Sequence, residues 1–228
     1  LVAQEPFDYF EPTAAAIEEA LTLASQADKV VVALGETDWM SGEAASRSDI
    51  RLPEKQLAVV AQIIEKNPNV VVTVYSGRPL DLQGIDVAKG IVQAWQPGTE
   101  GGNALADILW GQYNPSGRLS MSFPETVGQV PIFYNVDNTG RPYESAPEEK
   151  YVSKYLDVSN YAKYPFGFGF SYSHFSNQPN QLSALTFTKE QPVTVSVLVR
   201  NNSPIAGEET VQFYVRDLVG QVVRPIKE

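Results

Sequence analysis

The sequence has no cysteine, a single histidine, two methionines and no long apolar run. Each shortage removes a class of chemistry. Without cysteine there is no disulfide, no thiolate metal ligand and no cysteine nucleophile, although the absence names no compartment. With His174 as the sole histidine, a Ser-His-Asp triad would have to use it, and a zinc site with two histidine ligands is impossible. No apolar stretch approaches the ~20 residues that cross a bilayer, so no membrane span is expected. Leu1-Val2-Ala3-Gln4-Glu5 lacks the basic start and apolar centre of a signal peptide, and the first residue is not methionine, which reads as a mature form or an excised piece. Basic residues are also short. Lys and Arg number 17 against 27 Asp and Glu, a net charge of -10 that disfavours nucleic acid as a partner. No cofactor or metal is expected, and chemistry here would run on carboxylates, lysine, tyrosine or a missing partner.

What is present describes a globular protein. Of 228 residues, 43% are hydrophobic and 19% charged, enough for one large domain or one domain and a smaller one. Pro12-Thr13 marks a helix start with Thr13 as N-cap, and Ile17, Ala20, Leu21 and Ala24 then share one helical face. Val30-Val31-Val32-Ala33-Leu34 is an unbroken apolar run, as expected of a strand covered on both faces in a parallel sheet. Pro53 opens a second helix, in its first turn, with a buried stripe of Leu57, Val60, Ala61 and Ile64 and an end at Asn67-Pro68-Asn69. Val70 to Tyr75 is a second buried strand, followed by the turn residues Ser76-Gly77-Arg78-Pro79. A short helix is expected between Leu80 and Lys89, a third strand over Ile91 to Trp95, and a third helix over Asn103 to Trp110. Strand, loop and helix in repetition predict βαβ units and a mainly parallel sheet. Right-handed crossovers then carry the polar loops to one sheet edge.

After Tyr113, glycine, proline and aromatics dominate. Val130 to Val136 is expected as one more strand, Asn138 to Tyr143 as a loop, and Tyr164 to Tyr172 as an aromatic segment packed on the sheet. Val193 to Val199 and Thr210 to Val215 alternate with period two across the turn-rich Asn201 to Gly207. That is the pattern of a β-sandwich, of which the chain supplies only part.

The densest charge beside a predicted core strand lies in Gly35 to Ile50. This polar loop follows the first strand, at the end where ligands bind in open α/β sheets. It holds Glu36, Glu43, Arg47 and Asp49. Glu43, flanked by Gly42, Ala44 and Ala45, is free to reach into a cleft, and a general acid needs a carboxyl whose pKa is raised, which a cleft can provide. The plain alternative is a solvated loop glutamate, and composition alone favours it. Glu36 at the strand end is read as a partner of backbone amides in the loop, and Arg47 with Asp49 as a loop-fixing ion pair. Gly98 to Gly102 before a helix resembles an anion site, but it lacks a Walker lysine and dinucleotide spacing, and Glu100 would repel phosphate. A tight strand-to-helix turn is the better reading. His174 is read as a packing or hydrogen-bonding residue.

Several blocks together resemble a known family. Gly42-Glu43-Ala44-Ala45-Ser46-Arg47-Ser48-Asp49-Ile50-Arg51-Leu52-Pro53 is similar to a loop in the second domain of family 3 glycoside hydrolases of the periplasmic bacterial β-glucosidase type. So are Ser76-Gly77-Arg78-Pro79-Leu80 and Pro97-Gly98-Thr99-Glu100-Gly101-Gly102-Asn103-Ala104. The clearest block is Gly111-Gln112-Tyr113-Asn114-Pro115-Ser116-Gly117-Arg118-Leu119-Ser120-Met121-Ser122-Phe123-Pro124. Asn138 to Tyr143 and Tyr164 to Tyr172 complete a series that keeps family order and spacing from about Ala27 onward.

The resemblance implies an α/β class: a mainly parallel sheet flanked by helices (an α/β sandwich) over residues 1–176, N-terminally incomplete, then a partial all-β fibronectin type III-like sandwich over 177–228. It implies a retaining, exo-acting β-glucosidase of the periplasm or the secreted space. A barrel domain there supplies an Asp nucleophile and most of the glucose pocket, and the α/β domain supplies the acid/base from its loop. That role falls on Glu43, with Arg47, Asp49, Trp39 and Tyr143 as substrate-binding or loop-supporting residues. The barrel domain is missing from the sequence, and with it the nucleophile. Thr37-Asp38-Trp39 echoes the family's Ser-Asp-Trp nucleophile motif but sits in the acid/base loop, in the wrong domain. The expected partners are a β-glucoside or oligosaccharide and that barrel domain, with little hydrolysis by this chain alone. A rival reading is a non-catalytic module that binds sugar, or docks on a partner, through aromatics such as Trp39, Tyr134 and Tyr143. A nucleotide-binding flavodoxin-like fold is weaker still, disfavoured by Glu100.

Overall fold

The structure is a computed structural model that describes residues 12–137, 139–222 and 225; Leu1 to Glu5 and Asn138, named above, lie outside the described residues. Its described part forms two compact units: residues 12–102, 120–137, 139–166, 214–222 and 225, and residues 103–119 and 167–213.

The first unit is built on the valine-rich segments. β1 (Val30–Gly35), β2 (Val70–Tyr75) and β3 (Gly90–Gln93) form a parallel sheet in the order β1-β2-β3. Val30 stands opposite Val70, and Val72 opposite Ile91. β-branched side chains suit this pleated surface, where their restricted χ1 costs little. Val70, Val72 and Val74 of the central strand are fully buried, with Val60, Leu80 and Ile85. The edge strand β1 is covered on one face only. Leu34 is buried but Val31 is 46% exposed, so the run forms the expected strand but not the expected cover on both faces.

α1 (Ala14–Gln26) starts as its sequence predicts, with the Thr13 hydroxyl accepting a 3.2 Å hydrogen bond from the Ala16 amide. Its other end is closed by Asn67, whose side-chain amide donates to the carbonyls of Ala24 (2.9 Å) and Ala27 (2.7 Å). α2 (Glu54–Lys66) has Pro53 at its N-cap rather than inside its first turn. Its buried residues are Gln56, Val59, Val60 and Ile63, whereas Ala61 is exposed. The expected stripe was rotated because Gln56 was not counted as a core residue. The loop at the end of β2 runs on through Asp81, a buried residue whose carboxylate accepts from the amides of Gln83 (2.9 Å) and Val127 (3.3 Å).

Two expected elements are absent. Leu80 to Lys89 forms successive turns rather than a helix, closed by Ile85 N–H to Leu82 O and Ala88 N–H to Ile85 O. Gly84, at φ 92, leaves helical space there and interrupts the run. Val130 to Val136 contains no strand. Tyr134 stacks on Phe166 with centroids 4.4 Å apart, while Val130, Phe133 and Val136 are exposed.

In the second unit, which takes most of α3 (Gly101–Leu109), Asn114 of the block after Gly111 meets Ser171 to Ser173. The Asn114 side chain accepts from the Ser171 hydroxyl and the Tyr172 amide, both at 2.8 Å, and donates to Ser173 Oγ at 2.8 Å. Arg118 pairs in bidentate fashion with Glu209, at 3.1 Å to each oxygen. The β-rich end holds β4 (Phe175–Asn177), β5 (Gln181–Leu182), β6 (Val195–Ser196) and β7 (Val199–Asn201). β4 pairs antiparallel with β7, and β5 with β6. The expected strand over Val193 to Val199 is thus split, and Thr210 to Val215 forms none. An alternating segment becomes a strand only where a neighbour extends a ladder along it, and 210–215 joins none of the ladders among the described residues.

Candidate active site

Parallel pairing brings the carboxyl ends of β1 and β2 side by side, Gly35 opposite Tyr75, and with them the loops that follow. The exit from β1 is fixed by close backbone approach. A Cβ added to Gly35, at φ 153, would sit 1.8 Å from the Tyr75 carbonyl oxygen, so only glycine fits. The buried Gln56 side chain then holds both backbone groups of Gly35, donating to its carbonyl at 3.1 Å and accepting from its amide at 3.0 Å.

Glu36 comes next, and its carboxylate is turned inward with 1% exposure. Oε1 accepts from Arg47 Nη1 at 2.9 Å. Arg78 Nε lies 3.0 Å from the same oxygen, in ionic contact but with its N–H off the line of a hydrogen bond. Oε2 accepts from the Gly77 amide at 3.2 Å. The expectation that Glu36 bonds backbone amides therefore holds for one amide, in the neighbouring loop. The Arg47–Asp49 pair does not form. Arg47 goes to Glu36 and to the Arg51 carbonyl (3.1 Å), and Asp49 pairs with Arg51 instead. Arg51's side-chain hydrogen bonds, and then its amide, hold the Asp49 carboxyl well below the usual carboxylate range. Asp49 also accepts from the Arg51 amide at 3.0 Å, the local turn in which an aspartate bonds the backbone two residues on, and this sets it beside Arg51, while Arg47 reaches the buried Glu36 at the strand end.

The rest of the loop is two turns. Met40 N–H donates to Thr37 O, and Ala45 N–H donates to Gly42 O at 3.2 Å. Arg78 Nη2 reaches the last carbonyl of each, Met40 O at 2.6 Å and Ala45 O at 2.7 Å. Arg78 is itself placed by its neighbours. The Ser76 hydroxyl donates to its carbonyl at 2.8 Å, and Gln93 of β3 donates to Ser76 Oγ at 2.9 Å. Glu43 stands in the second turn, exposed, before Ala44 at φ 61, a left-handed conformation that costs a non-glycine residue about 1–2 kcal/mol. Among the described residues the Glu43 carboxylate has no hydrogen bond or ion pair.

An open groove of about 540 Å³ lies beside the strand end, lined by Leu34, Glu36, Thr37, Asp38, Trp39 and Tyr75 among others. Trp39 is 84% exposed, and Thr37 Oγ1 is buried without a partner among the described residues. The structure thus brings Trp39, Glu43 and Arg47 onto one loop. Tyr143 is not a lining residue; it packs edge-on against Tyr161 in a short 3₁₀ turn, with centroids 6.0 Å apart. Asp38 bonds its own neighbour, accepting from the Trp39 amide. Among the described residues no cluster of three acidic or imidazole side chains is suited to a metal ion, and no helix is long and apolar enough to cross a membrane.

Sequence reading missed Arg78, Gln56 and Gln93 as members of this site. The signal for Arg78 was available: an arginine directly after a buried strand falls on the same sheet edge as the acidic loop. Gln56 and Gln93 offered none, since a buried amide in a helix or strand looks like any surface glutamine until the fold encloses it.

Residues 4–172 match the glycosyl hydrolase family 3 C-terminal domain. The chain is 42% identical over 215 residues to a periplasmic beta-glucosidase of Salmonella typhimurium, covering 94% of this chain and 28% of that protein. It is 35% identical to a probable beta-glucosidase I of Aspergillus terreus, covering 93% of this chain and 26% of the relative. Among solved structures it is similar to a beta-glucosidase from Listeria innocua in complex with gluconolactone, with a TM-score of 0.88 and 40% identity over all of this chain and 31% of that one. The chain therefore spans under a third of the length of these relatives. A match over most of its length, joined to this fold and loop, means that the chain belongs to glycosyl hydrolase family 3, in the part that forms the family's C-terminal domain.

Proposed function

We propose that this chain supplies the general acid/base of a retaining, exo-acting β-glucosidase, and that Glu43 is that residue. One observation carries the reading: Glu43 projects, unpaired among the described residues, from a loop whose base is pinned at the carboxyl end of β1. It also lies inside the family-matched region. The substrate would be a terminal, non-reducing β-D-glucosyl unit. The nucleophile would be an Asp on a barrel domain outside these 228 residues, which makes the chain alone nearly inactive. The family match ends near residue 172, which supports the end of an α/β domain at about 176; a partial fibronectin type III-like domain over 177–228 is proposed from the alternating segments alone. Relatives include a protein named as periplasmic, and the same compartment, or secretion, is proposed here.

In the first step the barrel's Asp attacks the anomeric carbon while the Glu43 carboxyl gives its proton to the glycosidic oxygen. The carbon–oxygen bond breaks, the aglycone leaves as an alcohol, and a glycosyl ester forms. In the second step the Glu43 carboxylate takes a proton from water, whose oxygen attacks the same carbon and releases the Asp. Retention requires the two carboxyls to stand about 5–5.5 Å apart. Arg47 and Asp49 keep their loop-supporting parts through separate partners, and Trp39 offers an exposed face to the sugar or aglycone. Tyr143 retains only a general aromatic contribution.

The test is Glu43→Gln in the protein that unites this chain with the barrel. Turnover of a glucoside with a poor leaving group should fall by about 10²–10⁴-fold, the usual worth of a positioned proton donor, whereas azide should speed only an activated glucoside, whose glycosyl ester forms without the proton. Unchanged turnover would sink the assignment. A second reading, a non-catalytic sugar-binding module, draws on the exposed Trp39 at the groove. Titrating the 228-residue chain with cellobiose, followed by tryptophan fluorescence, separates the two. Saturable binding at millimolar sugar, together with an inert Glu43→Gln, would favour the module.

A further inference from the structure

We infer that Arg78 is the positioning residue for the Glu43 loop, holding the acid/base from beneath without touching substrate. The inference rests on the acid/base reading of Glu43. It starts from an imbalance. Glu43 is exposed and has no partner of its own among the described residues, yet an acid/base carboxyl must be held to within a fraction of an ångström of its working place. The required order must therefore come from the backbone on either side of it. Arg78 Nη2 takes the carbonyls of Met40 and Ala45, at 2.6 and 2.7 Å, which bracket Glu43 in the chain and close its two turns. Nε of the same guanidinium lies 3.0 Å from the buried Glu36 carboxylate. One planar cation so joins the start of the loop to both sides of its apex.

The partners share the work unequally. Arg47 also reaches Glu36, but its second contact is the Arg51 carbonyl, beyond the apex. Removing Arg47 would loosen the far end of the loop; removing Arg78 would free the segment that carries Glu43. A lysine could not replace Arg78, since its compact ammonium cannot span a carboxylate and two carbonyls in the geometry of a guanidinium fork. Ser76 and Gln93 set the Arg78 backbone, so the loop after β1 is held by β2 and β3.

The test uses Arg78→Met and Arg78→Lys in the protein that unites this chain with the barrel. Because Arg78→Met strands the buried Glu36 carboxylate on one cation, the double variant Glu36→Gln with Arg78→Met is run as well; it removes that buried carboxylate and leaves Arg47, 21% exposed, on the Arg51 carbonyl. The kcat/KM, which reports steps up to departure of the aglycone and not the later attack by water, is measured on alkyl glucosides, whose departure needs the proton, and on a dinitrophenyl glucoside, whose departure does not. A misplaced acid should cost roughly 10²-fold on the alkyl glucoside and about 3-fold or less on the dinitrophenyl glucoside, in all three variants. Amide hydrogen exchange in the 228-residue chain should speed up at Met40 to Ala45 in the same variants while β2 stays protected. Equal losses on both glucosides would mean a merely structural role and would overturn the inference, as would wild-type kinetics. If Glu43→Gln itself proves harmless, the acid/base reading fails instead, and faster exchange at Met40 to Ala45 still reports whether Arg78 orders the loop.

Discussion

Glu36 and Glu43 share one loop and have opposite surroundings. The first is 1% exposed between two guanidiniums; the second is exposed and unpaired among the described residues. Local pattern distinguished them only as one at a strand end and one among small residues, and the family resemblance alone singled out Glu43. The burial of Glu36 depends on Arg78, a residue 42 positions on, and no local pattern announces that. Arg47 was matched to Asp49 because they are neighbours in sequence, but the chain folds Arg47 back over the strand end. Residue-scale electrostatics is also testable away from the loop. Lys163 Nζ lies 2.6 Å from Asp86 Oδ2. The hydrogen bond from Lys163 lowers the Asp86 pKa; burial opposes the Lys163 charge, but the Asp86 hydrogen bond and charge outweigh it and raise the lysine. A depressed carboxylate contributes stability above its ordinary pKa of about 3.9 and loses it as pH falls through the folded value. A raised lysine contributes below about 10.4 and loses it as pH rises through its folded value. With both groups partly solvated, Lys163→Met should cost about 0.5 kcal/mol at neutral pH. Thermal melts should show that difference shrinking as pH falls below the ordinary carboxylate range and Asp86 is protonated in both proteins.

At the scale of elements, the strands and helices of the first unit were legible because their periods are strong. Valine runs gave β1 and β2, and Thr13 gave the start of α1. The stripe of α2 was not, because its innermost residue is an amide. Gln56 fills a position that hydrophobic counting assigns to Leu57, and it does so to satisfy both backbone groups of Gly35. Gln56→Leu should therefore destabilise despite adding an apolar side chain, by about 1–3 kcal/mol for each buried group left unpaired. Urea unfolding measures it, and an unchanged midpoint would contradict the account. Gly35→Ala should cost about 1–3 kcal/mol, because the new methyl has only the rigid Tyr75 backbone to displace. Its effect on turnover should exceed its effect on stability, since the displaced residue leads directly into Glu36. The segments that misled, 80–89, 130–136 and 210–215, share a cause. Each carries apolar residues with a usable local period, but a helix needs an uninterrupted backbone and a strand needs a partner.

At the scale of the molecule, the parallel sheet and its loop edge were readable from the chain, and the family from its blocks in order. The all-β end was not. Four short strands in two separate ladders do not amount to a seven-stranded sandwich, and exposed apolar side chains such as Leu185 and Leu198 remain uncovered there. The central claim concerns a site shared between this chain and a second carboxylate. Its most direct measurement is the product formed by Glu43→Ala, in the protein that unites this chain with the barrel, from dinitrophenyl β-glucoside in the presence of azide. This leaving group needs no proton, so the glycosyl ester forms, and azide then attacks without needing a base. Azide should accelerate turnover and yield the β-glucosyl azide, because it enters from the face that Glu43 serves. No acceleration, or an α-glucosyl azide that marks position 43 as the nucleophile, would contradict the assignment.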